Sequence, residues 1–293
     1  MPDNGNNPDV KIAVPRKVVP GSGPILIVAI LFVVASFLAW YFTWFGRELS
    51  DADISTYLAD EKHPRHVQHA LLQIEQRMER GDPSVRKWYS QVIGLSGNTE
   101  TEFRLTVAWL MGVDNHAKEF HEALLRLVKD QEPIVRRNAA LALVRFADKS
   151  GRPELVSVLM PYSVKAVTDG VVASTLHEDS QVPRGALLAR IEQADRKVVE
   201  MRSPLPGTIN KISKENGTQV ATGDEILSLN SDEGSVWEAL RGLSLVGEPE
   251  DLVAIEKYAL GGKAVSDRIK QQATLSANAI RKRADQDDKA AKP

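Results

Sequence analysis

Hydrophobic and polar positions follow three successive patterns along this 293-residue chain. Ile25 to Phe45 is a mostly apolar run without a charge or a proline, and apolar side chains recur at helical spacing from Asp51 to about Leu159. They shorten to brief runs between turn glycines from Pro161 to Asp232, and helical spacing returns beyond. A long apolar run suits a bilayer, a helical period suits amphipathic helices, and short runs closed by glycine suit strands. The predicted architecture is α+β: a single N-terminal transmembrane helix, helical repeats, and a β module inserted among them. The boundaries read as a cytoplasmic tail at 1–23, the transmembrane helix at 24–46 and helical repeats at 51–160. The β module follows at 162–232, then further helices at 235–283 and a disordered tail at 284–293.

As a helix, Ile25–Phe45 would measure about 31 Å, close to the hydrocarbon thickness of a bilayer. Thirteen of its residues are Ile, Leu, Val or Phe. Trp40, Tyr41 and Trp44 gather at its C-terminal end, where an interfacial aromatic belt belongs. A cleaved signal peptide fits less well, because the apolar core is too long and no small-residue cleavage site follows. Lys11, Arg16 and Lys17 precede the run and only Arg47 follows closely. The positive-inside rule then predicts an inner-membrane protein with its N-terminus in the cytoplasm and its C-terminal domains in the periplasm.

In the helical region, Glu102–Gly112 matches Ile134–Val144, with Arg104 on Arg136 and Ala108 on Ala140 at an offset of 32. Such an offset, with two helices per unit, marks a helical solenoid. Pro133 opens a helix whose predicted apolar face is Val135, Ala139, Ala142 and Leu143. The segment Asp130–Leu143 resembles a HEAT repeat, and Gly81–Arg86 resembles another such start. Ala239–Val253 parallels Ala142–Val156, so the pattern resumes after the β module.

The β module is itself duplicated. Gly170 aligns with Gly207, Val182 with Val220 and Gly185 with Gly223, at offsets of 37 and then 38. Ser203-Pro204, Gly207-Thr208-Ile209, Glu215-Asn216-Gly217 and Gly223-Asp224 resemble the turn pattern of the biotinyl/lipoyl-like barrel-sandwich hybrid. In carriers of that family a modified lysine sits at the tip of the central hairpin. The lipoyl-type position falls on Arg196 and the biotinyl-type position on Asp195, while Lys197 is out of register. The resemblance therefore implies an unmodified module, with Lys197 as the one candidate modification site. Periplasmic adaptors also carry this fold, but with a long helical hairpin between the halves that this chain lacks.

His63, His66 and His69 recur at intervals of three, and on one helix His66 and His69 would share a face as a metal pair. Pro64 starts the helix and leaves His63 outside it, and solvated histidines are the alternative. Trp88, Tyr89 and Trp109 read as helical core. A net charge of −2 gives no basic field for nucleic acid, and the absence of cysteine removes disulfides and thiolate chemistry. No nucleophile elbow, phosphate loop or dinucleotide fingerprint is present.

The expected function is non-enzymatic and needs no cofactor: a membrane-anchored scaffold or adaptor held in lipid through Ile25–Phe45. It would present both surfaces to subunits of a membrane protein complex. The alternatives are a periplasmic adaptor of a transport or secretion system, and a lipoyl or biotinyl carrier using Lys197.

Overall fold

The structure, a computed structural model, describes residues 23–43, 48–174, 176–261 and 265–290, without the side chains of 23–25 and 42–43. The chain divides into two units, 1–48 and 49–293. In the first, α1 (Gly23–Thr43) is apolar all round. Its side chains at 26–41 are all exposed, Leu26, Phe32 and Trp40 among them. The span expected over Ile25–Phe45 is not found: among the described residues, no helix is long and apolar enough to cross a membrane. The tail at 1–22, with Lys11, Arg16 and Lys17, lies outside the described residues, as do Trp44, Phe45 and Arg47.

In the second unit, helices α2 (Asp51–Ala59), α3 (Pro64–Glu79), α4 (Tyr89–Leu95), α5 (Thr101–Met111), α6 (Lys118–Leu127), α7 (Pro133–Arg145) and α8 (Arg152–Val158) follow one another through short turns. Five of those turns use one device. Asp82, Asn98, Asp114, Asp130 and Asp148 each accept a hydrogen bond from the backbone N–H two residues on, at Ser84, Glu100, His116, Glu132 and Ser150. The first four stand sixteen residues apart. Such local side-chain bonds shape the turn that leads into the next helix.

Three of these carboxylates are also tied to an earlier helix. Tyr89 donates to Asp114 at 2.6 Å, Arg104 grips Asp130 at 2.7 and 3.1 Å, and His121 Nε2 lies 2.7 Å from Asp148. The predicted match of Arg104 with Arg136 is a match of roles. Arg104 donates to the carbonyls of Asn98 and Thr99, and Arg136 to those of Asp130 and Gln131. Each then reaches an acid further on, Asp130 for Arg104 and Glu154 for Arg136.

Val135, Ala139, Ala142 and Leu143 are buried, as the periodicity predicts. A Cβ on Gly151 would meet Ala140 at 2.7 Å, so small residues let these helices approach closely. Trp88 and Tyr89 are core, but Trp109 is not. It stays about half exposed, bonded to Glu75 and covered by Arg145, because its indole edge finds a polar partner at the surface.

After the β module come α9 (Glu233–Val246), α10 (Leu252–Ala259) and α11 (Asp267–Ala290). Ala140, Leu155 and Val158 share one core with Leu240, Leu243, Ile255 and Ile269. The helical body therefore closes across the insertion. Residues 284–290, expected as disordered tail, continue α11, because their Ala, Lys, Gln and Asp residues carry no glycine or proline to stop it.

The β module has two four-stranded antiparallel sheets. One orders β1 (Tyr162–Lys165), β8 (Glu225–Ser231), β6 (Gly207–Ile212) and β3 (Gln181–Val182). The other orders β5 (Val198–Arg202), β4 (Leu187–Glu192), β2 (Gly170–Ala173) and β7 (Gln219–Val220). Each sheet takes two strands from the other half of the sequence, β1 on β8 and β3 on β6 in one, β5 on β4 and β7 on β2 in the other. The halves are equivalent bond for bond. Ile191 pairs with Val199 as Leu229 pairs with Tyr162, and Gly185 donates to Ser203 as Gly223 donates to Ala166. Between the sheets lie Val172, Leu188, Ile191, Ile209 and Leu229.

Candidate functional site

The hairpin β4–β5 closes over Ala194–Arg196. Gln193 N–H donates to the Lys197 carbonyl at 2.8 Å, and Arg196 N–H donates back to the Gln193 carbonyl at 2.9 Å. Arg196 turns the corner at φ +65°, in the left-handed region. Asp195 accepts from the Lys197 N–H at 3.1 Å and pairs with Lys197 Nζ at 3.0 Å. That hydrogen bond holds the Asp195 carboxyl below its ordinary range. Lys197 is the first residue of the returning arm, and its side chain is 77% exposed.

A carrier would need its lysine at the apex. Here Arg196 occupies the corner, and the Lys197 amine is paired with Asp195. The tip does not fit a lipoyl or biotinyl attachment in the expected register.

The module is rooted at short junctions. Residues 159–161 join α8 to β1, and Asp232 alone joins β8 to α9. Leu159 is buried, and its carbonyl accepts from the Tyr258 hydroxyl at 3.3 Å. Asp232 caps α9 by accepting from Ser235 N–H at 3.0 Å. Arg184 forms an ion pair with Glu102, and the buried Arg137 donates to Ser231 at 3.2 Å. Beside this root lies a cleft of about 750 Å³ between strands β3 and β6 and the helices, lined by Gln181, Thr208, Asn230, Tyr258 and Ile269.

The segment 156–229 matches the family described as "Biotin-requiring enzyme". The chain carries a biotinyl/lipoyl-type domain. Two curated relatives match over about a quarter of the chain. Both are named as the dihydrolipoyllysine-residue succinyltransferase component of the 2-oxoglutarate dehydrogenase complex. The one from Rickettsia felis is 34% identical over 76 residues, 26% of this chain and 19% of the relative. The one from Rickettsia bellii is 34% identical over 79 residues, 27% of this chain and 20% of the relative. This chain thus spans about a fifth of the length of the relatives it matches. Among solved structures, a single-chain, multi-domain long-chain acyl-CoA carboxylase aligns at 21% identity and TM-score 0.24, over 26% of this chain and 8% of that one. A TM-score that low adds nothing about the fold.

The histidines part ways around Tyr57. His66 stacks on the Tyr57 ring at 4.3 Å and sets its Nδ1 2.7 Å from Asp60. His63 Nδ1 lies 2.9 Å from both Asp60 oxygens. His69 is buried, with Nε2 3.2 Å from Gln73 Nε2. The donors that converge are Asp60, His63 and His66, not the pair His66 and His69. Hydrogen bonds from His63 and then His66 hold the Asp60 carboxyl below its ordinary value. Sequence reading missed Asp60 because it looked for partners along α3 alone; the aspartate comes from the preceding corner. The signal was the spacing Asp60-x-x-His63-x-x-His66.

Proposed function

We propose that this protein is a non-enzymatic, membrane-anchored scaffold. In this reading HEAT-like helical repeats and an unmodified biotinyl/lipoyl-type domain form one rigid surface for subunits of a membrane complex. The observation that carries the reading is the rooting of the β domain: junctions of 159–161 and Asp232 leave it no slack. A carrier delivers its group by travelling between sites, which needs a flexible linker. A domain planted this firmly suits display instead. The exposed apolar face of α1 supports anchoring, because so much exposed hydrocarbon is favourable only in an apolar environment.

A second reading is a carrier using Lys197. It draws on the likeness to two dihydrolipoyllysine-residue succinyltransferase components and on the exposure of the Lys197 side chain.

The test takes the chain from native membranes for intact-mass measurement and crosslinking. An unmodified mass, retention in the membrane fraction until detergent is added, and crosslinks to subunits of a membrane complex are expected. A lipoyl or biotinyl increment on Lys197 would overturn the scaffold in favour of the carrier. Recovery of the full chain in the detergent-free supernatant would overturn the anchor.

A further inference from the structure

We propose that Asp60, His63 and His66 form a binding site for a divalent transition metal of the zinc class, at the corner between α2 and α3. One donor atom from each residue lies within 4.8 Å of the others. Both imidazoles use Nδ1, and both turn it onto one carboxylate. Two ligand atoms about 2.1 Å from a tetrahedral zinc stand about 3.4 Å apart. The nitrogen–oxygen separations here are 2.7 and 2.9 Å, so the gathered donors need to open by only about half an ångström to admit the metal. Imidazole with carboxylate is a donor set for zinc and its neighbours, not for calcium or magnesium.

Preorganisation comes from the backbone. Asp60 N–H donates to the Tyr57 carbonyl, His63 N–H to the Asp60 carbonyl, and His66 N–H to the His63 carbonyl. Pro64 fixes the first turn of α3, and Tyr57 holds the His66 ring flat against it. Neighbouring candidates are engaged elsewhere: Glu61 accepts from Asn98, and His69 is buried beside Gln73. The three donors are partly exposed, with His63 at 66%, His66 at 42% and Asp60 at 29%. Water can therefore complete the coordination. Binding requires each Nδ1 to present its lone pair, with any proton there released to solvent.

The experiment uses the tag-free full-length chain in detergent, stripped with chelator and titrated with zinc by calorimetry, with cobalt as an optical probe. Saturation at one zinc per chain, with micromolar or tighter affinity, is expected. His66→Ala and Asp60→Asn should each weaken binding about tenfold or more. His116→Ala, an exposed histidine elsewhere, should leave binding unchanged. His63→Ala is the safeguard variant, because that side chain makes no helix-capping bond and its loss leaves folding intact, as circular dichroism would verify. It too should weaken zinc binding and remove the visible cobalt bands. No saturable binding, or binding that survives both His63→Ala and His66→Ala, would overturn the site.

Discussion

At the scale of single residues, the β domain rests on two glycines that have no room for a side chain. A Cβ on Gly207 would stand 2.2 Å from the Asn230 carbonyl oxygen, and one on Gly170 would stand 2.4 Å from that of Glu192. These are equivalent positions in the two halves, and in each the obstacle is backbone of a paired strand. Gly207→Ala is expected to destabilise the domain by about 1–3 kcal/mol, since the strand must shift to admit a methyl group. Urea unfolding of the variant would measure it. Both glycines were legible in the sequence because duplication exposes what each half must keep. Gly217, at φ +85°, shows the limit: its partner position is Asp179, which reaches φ +64° without glycine. Asp tolerates that region through its own short side chain, so the turn repeats although the residue does not.

At the scale of elements, the Asx turns and the ties that reach back to them hold neighbouring helices together. Arg104 and Asp130 form the most buried of these ties, both side chains being less than a tenth exposed. Burial alone would raise the Asp130 pKa, but hydrogen bonds from Arg104 and the Glu132 amide outweigh it and hold the carboxyl below its ordinary value. A lowered folded-state pKa makes the contribution complete above the unfolded value, near pH 4, and removes it as pH falls through the folded value. Asp130→Ala strands the buried guanidinium and is expected to cost about 3–5 kcal/mol at neutral pH. The gap between wild type and variant should narrow below about pH 4, read from urea midpoints across a pH series. The offset of 32 was visible in the sequence through Arg104 and Arg136. The sixteen-residue beat was not, because Asp82, Asn98, Asp114 and Asp130 stand in differently worded turns, and only their bonding makes them alike.

At the scale of the molecule from Leu49 onward, the β domain interrupts the sequence but not the helical core, which continues from α7 and α8 into α9 and α11. A domain tied at both ends should tumble with its host. The chain has no cysteine, so Lys197→Cys accepts one probe at the hairpin tip without competition. Its anisotropy decay is expected to follow the whole particle, apart from local motion of the probe. A separate nanosecond component of large amplitude would reveal an independently swinging domain. The sequence marks the edges of the β domain, since periodicity and repeat offsets both change there. It could not recover the seating, which depends on contacts such as Arg184 with Glu102 and Tyr258 with Leu159, made between segments far apart in the chain.

The pseudo-symmetry of the barrel carries a consequence for how such a part can be installed. The pairing of Ile191 with Val199, just behind the hairpin tip, is the counterpart of Leu229 with Tyr162, just behind the two attachment points. One corner of a duplicated object has become the stem by which it is grafted, and its twin is the bloom held up to whatever comes near. Grafting at the twin instead would exchange the two, giving a barrel of the same make that offers its other corner.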